Sequence, residues 1–281
     1  MTLLEVIKKT GDFFDAKGIQ NGRLNAEHLV GSALKLKRMQ LYLQFERTLS
    51  DEELDRIRQM AKRRGQREPL QHIVGEVDFH GLKLKVDRRA LIPRPETERL
   101  VEILIERCAD PVPARVLDLG TGGGAIALAL AAAWTSAAFT AVDLSEEALA
   151  LARENAAAAG HGDRVNFICS DWFAQVEPAA RFDLVVANPP YLTSEETAES
   201  EPEVRAHEPA LALTAGEGGM AALAAIIRAA PDFLAPGGLV ALETGIGHHA
   251  ALLKLAAESG FKRSESLKDL TGRDRFLLAW V

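Results

Sequence analysis

Val116-Leu117-Asp118-Leu119-Gly120-Thr121-Gly122-Gly123-Gly124 reads as a short apolar strand entering a glycine-rich turn. Ala125-Ile126-Ala127-Leu128-Ala129-Leu130-Ala131 follows as a helix of strong formers. Glycines accept positive φ without penalty and let backbone approach a ligand closely. Strand, glycine turn and helix together are the first unit of an α/β fold with a parallel sheet.

The pattern continues outward from this unit. Strands are expected at Arg115 to Leu119, Ala138 to Asp143, Val165 to Cys169, Phe182 to Ala187 and Gly238 to Glu243. Helices are expected at Ala125 to Ala133, Glu146 to Ala158 and Met220 to Phe233, with Asn155 and Gly160 suiting a helix stop. Such alternation predicts a doubly wound sheet with ligands at the carboxyl ends of its strands. Upstream, Leu3, Leu4, Ile7 and Phe14, and then Ala26, Leu29, Val30 and Ala33, recur at helical spacing. Ser50-Asp51-Glu52-Glu53 opens a further helix with acids in its first turn. Val77, Phe79, Leu82, Leu84 and Val86 around Gly81 read as a β-hairpin. The expected division is a helical domain over 1–75, a hairpin linker over 76–92 and an α/β domain over 93–281.

The chemistry-bearing residues fall at strand ends. Asp118, just before the glycines, repels a phosphate but attracts an ammonium group. Asp143 lies about 20 residues past the glycines, the spacing at which a carboxylate binds ribose hydroxyls. Asn188-Pro189-Pro190-Tyr191 follows the fourth strand. Neither proline can donate a backbone hydrogen bond, and their fixed φ stiffens the turn. What remains is two acceptors, the Asn188 side-chain oxygen and the Pro189 carbonyl, beside an aromatic ring. That set suits a planar –NH2 group whose two hydrogens it accepts. Glycine turn, ribose acid, upstream acid and Asn-Pro-Pro-Tyr together point to S-adenosylmethionine as cofactor and to an amide or amino nitrogen as methyl acceptor.

These motifs resemble the class I S-adenosylmethionine-dependent methyltransferases of the HemK/PrmC family, the N5-glutamine methyltransferases of peptide chain release factors. Leu91 to Glu98 is similar to that family's arginine-containing loop, Asp118 to Ala131 to its cofactor turn, and Asn188 to Tyr191 to its substrate turn. Glu208-Pro209 with Leu211 to Gly219 is similar to its following block. Arg23 to Glu27 and Pro69 to Gly75 resemble its helical domain. The resemblance implies a Rossmann-like, mostly parallel seven-stranded sheet with a terminal antiparallel hairpin around Thr271 to Asp274. It implies Gly120, Thr121, Gly122, Gly123, Gly124, Asp143, Trp172 and Asn188 as cofactor-binding residues, with Trp172 bordering the adenine and Asp171 nearby. Asn188, Pro189, Pro190 and Tyr191 are the implied catalytic turn, and Arg94 is placed near it. S-adenosylhomocysteine is the implied product, a class I release factor the implied protein substrate, and residues 1–75 the implied substrate-recognition domain. His207 departs from the family's phenylalanine and is similar to the sister enzymes that methylate a ribosomal-protein glutamine.

Composition fits these readings. The 281 residues are 47% hydrophobic and 26% charged, with a net charge of -7. Residues 1–86 hold 16 Lys+Arg against 12 Asp+Glu, a net +4; the remainder is -11. An acidic catalytic half argues against a nucleic-acid groove, which needs basic residues to neutralise phosphates. This disfavours the adenine-N6 and guanine-N2 methyltransferases, which share Asn/Asp-Pro-Pro-aromatic turns. No metal site, secretory leader or membrane partner is expected, and the expected compartment is the cytoplasm. Cys108 and Cys169 read as reduced core thiols. Lys62, Arg63, Arg64 and Arg67 read as a solvated helix face, the glutamates from Glu195 to Glu208 as a solvated loop, and His248-His249 as surface histidines.

Overall fold

The computed structural model describes residues 1 to 215 and 217 to 281, and the chain forms two compact units. Gly216, inside the Leu211 to Gly219 block, lies outside the described residues.

One unit comprises Met1–Glu76 together with Glu201–His207. Its helices are α1 (Leu3–Ala16), α2 (Gly22–Leu34), α3 (Arg38–Tyr42), α4 (Asp51–Gly65) and α5 (Leu70–Val74). Thr2 and Ser50 start α1 and α4 with reciprocal capping boxes to Glu5 and Glu53. Leu3, Ile7, Phe14, Ala26, Leu29, Val30 and Ala33 are buried in one core, as their helical spacing predicts, whereas Leu4, one position off that face, is 39% exposed.

The other unit comprises Val77–Ser200 and Glu208–Val281. It begins with a hairpin of β1 (Glu76–Phe79) and β2 (Leu82–Lys85). His80 and Gly81 both take positive φ at its two-residue turn, which matches the twist of paired strands. There follow α6 (Pro95–Arg107), β3 (Arg115–Leu119), α7 (Ala125–Ala133), β4 (Ala138–Asp143), α8 (Glu146–Ala158), β5 (Val165–Cys169) and β6 (Phe182–Ala187). Next come α9 (Ser194–Glu199), α10 (Pro202–His207, in the first unit), α11 (Ala221–Phe233), β7 (Leu234–Glu243), α12 (His249–Glu258), β8 (Arg263–Lys268) and β9 (Asp274–Trp280).

Seven strands form one sheet in the order β5-β4-β3-β6-β7-β9-β8. All pairings from β5 to β7 are parallel, while β9 runs antiparallel to β7 and β8. Alternate residues of the central strands enter two cores: Val116, Leu184 and Val186 on one face, Leu117, Val185 and Ala187 on the other. A sheet covered on both faces needs such unbroken apolar strands. Chain order reverses between β3 and β6, so a crevice opens at their carboxyl ends.

Several local readings change in the structure. The hairpin is held by the α/β unit: Phe79 and Leu84 are buried in its core. The glutamate run forms α9 and α10, and Glu203 and Glu208 are buried. Of the basic cluster, Lys62 and Arg63 are exposed as a solvated face requires, whereas Arg67 is half-buried and Arg64 buried. Arg64 Nη1 lies 2.8 Å from Glu203 Oε1, and Arg67 Nη2 lies 2.8 Å from Oε2. His249 is buried between Thr244 and Ser266, its Nε2 2.7 Å from the first hydroxyl and its Nδ1 2.8 Å from the second. Cys169 is exposed, because β5 is an edge strand.

Candidate active site

The glycine turn after β3 is shaped by three backbone positions with positive φ: Gly120, Gly122 and Gly124. At Gly124 a Cβ would also press to 3.3 Å from the Ala152 methyl carbon, so the turn packs directly on α8. Asp118 lies beneath the turn and is fully buried. Its Oδ2 accepts from the Thr121 hydroxyl at 2.6 Å and from the Ala127 N–H at 3.2 Å, tying β3 to the start of α7. It does not line the cavity described below, so the ammonium-binding role expected of it gives way to a structural one. Burial pushes its carboxyl up to about 7, and the Asp143 charge adds to the rise.

Asp143 ends β4 and spans two loops. Its Oδ2 accepts from the Gly122 N–H at 2.8 Å and its Oδ1 from the Ser145 N–H at 2.9 Å. Burial raises its carboxyl pKa, and these backbone donors work against the rise. Each oxygen keeps a further lone pair for a ligand hydroxyl. Trp172 follows β5 with φ 45°, its ring 3.4 Å from where a Gly120 Cβ would stand.

These residues surround a cavity of about 470 Å³, within the usual range for small-ligand sites. Its wall includes Gly120, Thr121, Gly122, Gly123, Asp143, Asp171, Trp172, Asn188 and Pro190. Gly124, Pro189 and Tyr191 stand outside that wall. Pro93, Pro209 and Leu211 border it as well, placing the Leu91 to Glu98 loop and the block after Glu208 at the same site. Arg94 and Glu208 join these two segments, with Nη2 2.6 Å from Oε1. Burial raises the Glu208 pKa against the pull of Arg94.

Asn188 belongs to a chain of hydrogen bonds that the sequence did not reveal. Its Nδ2 donates to the Thr97 hydroxyl oxygen at 3.0 Å. Thr97, on α6, donates to Glu243 Oε2 at 2.7 Å. Glu243, which ends β7, accepts from the Tyr191 hydroxyl at 3.1 Å through Oε1. Arg275 Nη1 approaches the Tyr191 oxygen at 3.5 Å, with the guanidinium 5.9 Å from the ring centroid. Glu243 is 1% exposed; burial raises its pKa, opposed by the Thr97 and Tyr191 hydrogen bonds. Burial likewise raises the Tyr191 pKa. Tyr191 is thus a braced wall of the turn, held through its hydroxyl. Thr97 lies in the Leu91 to Glu98 segment but is not singled out within it, and Glu243 carries no motif of its own; its one available signal is an acid at the end of an apolar strand, as at Asp143.

Residues 5–75 match the family described as PrmC N-terminal domain, and residues 96–204 match the methyltransferase small domain. The release factor glutamine methyltransferase of Geobacter sulfurreducens is 40% identical, over 98% of this chain and 95% of its own. That of Cereibacter sphaeroides is 43% identical over 94% and 93%. That of Deinococcus radiodurans is 39% identical over 99% and 98%. Among solved structures, the catalytic domain of hMettl16 in complex with an RNA hairpin shares the fold, with a TM-score of 0.58, 17% identity and 82% of each chain covered. A methyltransferase from Pyrococcus furiosus shares it with a TM-score of 0.51 and 20% identity, covering 71% of this chain and 89% of its own.

Proposed function

The chain belongs to the release factor glutamine methyltransferase family, and from that premise we propose that it methylates the side-chain amide nitrogen of the glutamine in the Gly-Gly-Gln loop of class I release factors. The observation that carries the assignment is the placement of Asn188 in the wall of the cavity formed by the glycine turn and Asp143.

The residues present fit S-adenosylmethionine. Gly120 to Gly123 offer backbone to its amino-acid end, the Asp143 oxygens suit ribose hydroxyls, and Trp172 gives a flat apolar wall for adenine. Bound there, the cofactor supplies a methyl group already activated by its sulfonium. The chain supplies position. A glutamine amide nitrogen is a weak nucleophile, because its lone pair is shared with the carbonyl. The Asn188 oxygen and the Pro189 carbonyl accept its two hydrogens and hold electron density on nitrogen. The prolines keep those acceptors rigid, and Tyr191 backs the turn. The nitrogen sheds its proton after transfer, so no strong base is required beside it.

The test is transfer of labelled methyl from S-adenosylmethionine to a class I release factor and to the same factor with its Gly-Gly-Gln glutamine changed to alanine. Label on the first and none on the second is the expected result. Asn188→Ala should lower kcat on the order of 10²-fold, as for other misplaced reactants. No label on either factor, with label on a ribosomal-protein glutamine or a nucleic-acid amino group, would overturn the assignment.

A further inference from the structure

We propose that Glu243 and Thr97 are positioning residues: through the Thr97 hydroxyl, the Glu243 carboxylate fixes which end of the Asn188 carboxamide is offered to the substrate. This rests on the assignment of Asn188 as acceptor for the substrate amide.

The argument is one of hydrogen-bond polarity. Both oxygens of Glu243 stand as acceptors, from the Thr97 and Tyr191 hydroxyls, and these two bonds with the nearby Arg275 oppose the rise that burial gives its pKa. So held as a carboxylate it only accepts, whereas a hydroxyl carries one proton and a carboxamide has a donating and an accepting end of nearly equal size. Thr97 commits its single proton to Glu243 Oε2 at 2.7 Å. Its oxygen can then only accept, and Asn188 Nδ2 stands 3.0 Å away to donate. With the carboxamide reversed, the Asn188 oxygen would face a hydroxyl oxygen with no proton between them, an unpaired contact that burial makes costly. The ordinary ambiguity of amide orientation is therefore removed by the neighbours. Oδ1 becomes the end left for the substrate.

The same carboxylate accepts from Tyr191 through Oε1, so it anchors both ends of the Asn188 to Tyr191 turn. Arg275, near Tyr191 and bonded to the Thr244 carbonyl at 3.2 Å, places a cation beside this buried charge. The consequence reaches the chemistry. A substrate glutamine also has two near-isosteric ends, and only an acceptor at Asn188 selects its –NH2 for the methyl group. A donor there would select its oxygen and turn the nitrogen away. The direction of one side-chain amide thus decides which atom of the substrate amide is aligned for transfer.

Glu243→Gln allows the relay to run either way, and Thr97→Val removes it; Thr97→Ser restores the hydroxyl. Each variant is compared with the wild-type enzyme for kcat and KM toward the release factor, for S-adenosylmethionine affinity by calorimetry, and for Tm. Glu243→Gln and Thr97→Val are expected to lose kcat by up to roughly 100-fold, the scale on which a misplaced reacting group slows transfer. Cofactor affinity should stay within about twofold, and Thr97→Ser should recover most of the loss relative to Thr97→Val. Retention of kcat within about threefold in both variants overturns the inference while the function stands. So does a loss of kcat matched by equal losses of cofactor affinity and Tm, which describes structural damage. Absence of methyl transfer by the wild-type enzyme overturns the function, and the inference with it.

Discussion

At Asp118 a single carboxyl group serves the fold more than the ligand. It is fully buried, with one oxygen tied to Thr121 and Ala127 and the other, Oδ1, without a hydrogen-bond partner among the described residues. The folded state holds its proton to about pH 7, against an ordinary value of 3.8. Between these two values the folded protein binds the proton more tightly than the unfolded chain. Asp118 therefore favours folding most at low pH, and that advantage drains away as pH rises through the window, by up to about 1.4 kcal/mol per pH unit. Asp118→Asn keeps an acceptor for Thr121 and Ala127 and removes the titration. Urea unfolding of both proteins across the window should show the wild type losing stability relative to the variant as pH rises. Parallel curves would show that the group stays ionised when folded.

Elements are fixed by side chains that cross between them, and Asn155 is the clearest case. Read as a helix stop, it instead bonds outward from α8. Its Oδ1 accepts from the Lys85 N–H at 2.8 Å, and its Nδ2 donates to the Lys85 carbonyl at 3.1 Å and the Gly123 carbonyl at 2.9 Å. One amide thus seats strand β2 and braces the glycine turn. The helix stop itself falls to Gly160, with φ 73° and the His161 N–H returning to the Ala156 carbonyl at 2.8 Å. Asn155→Ala should cost about 2 to 3 kcal/mol, since buried backbone groups lose their partners. It should also speed hydrogen exchange at the Lys85 amide and weaken cofactor binding through Gly123. Unchanged exchange at Lys85 would show that packing of Phe79 and Leu84 alone secures the hairpin.

Across the whole molecule, sequence order and structural membership part company at residues 201–207. This segment leaves the α/β unit after α9 and belongs to the helical unit, so the chain passes between the units three times. Its anchor is Glu203, whose carboxylate meets both Arg64 and Arg67 at 2.8 Å, with the Arg64 and Glu203 side chains 8% and 10% exposed. Burial alone would raise its pKa; the two arginines outweigh it and hold the carboxyl below the ordinary range. Removing one partner of a buried pair strands the other charge. Glu203→Ala should therefore destabilise the helical unit by about 3 to 5 kcal/mol, measured by denaturant unfolding. A fragment of residues 1–76 alone should share the defect. Equal stability of variant and wild type would show that Arg64 is satisfied by Asn25 and the Glu68 carbonyl, its other acceptors.

The sequence by itself determined the α/β architecture, strands β3 to β7 and helices α7, α8 and α11, and the glycine, Asp143 and Asn188 to Tyr191 segments at the strand ends. Those features are local: apolar runs, turn residues and strand-to-helix spacing are set within a few residues of one another. Tertiary structure alone decided the partners of Asn188, Asn155 and Glu203. Thr97 and Glu243 are separated from each other by 146 positions, and Arg64 from Glu203 by 139. A buried polar side chain must find its partner wherever the fold brings one, and no periodicity along the chain records that meeting.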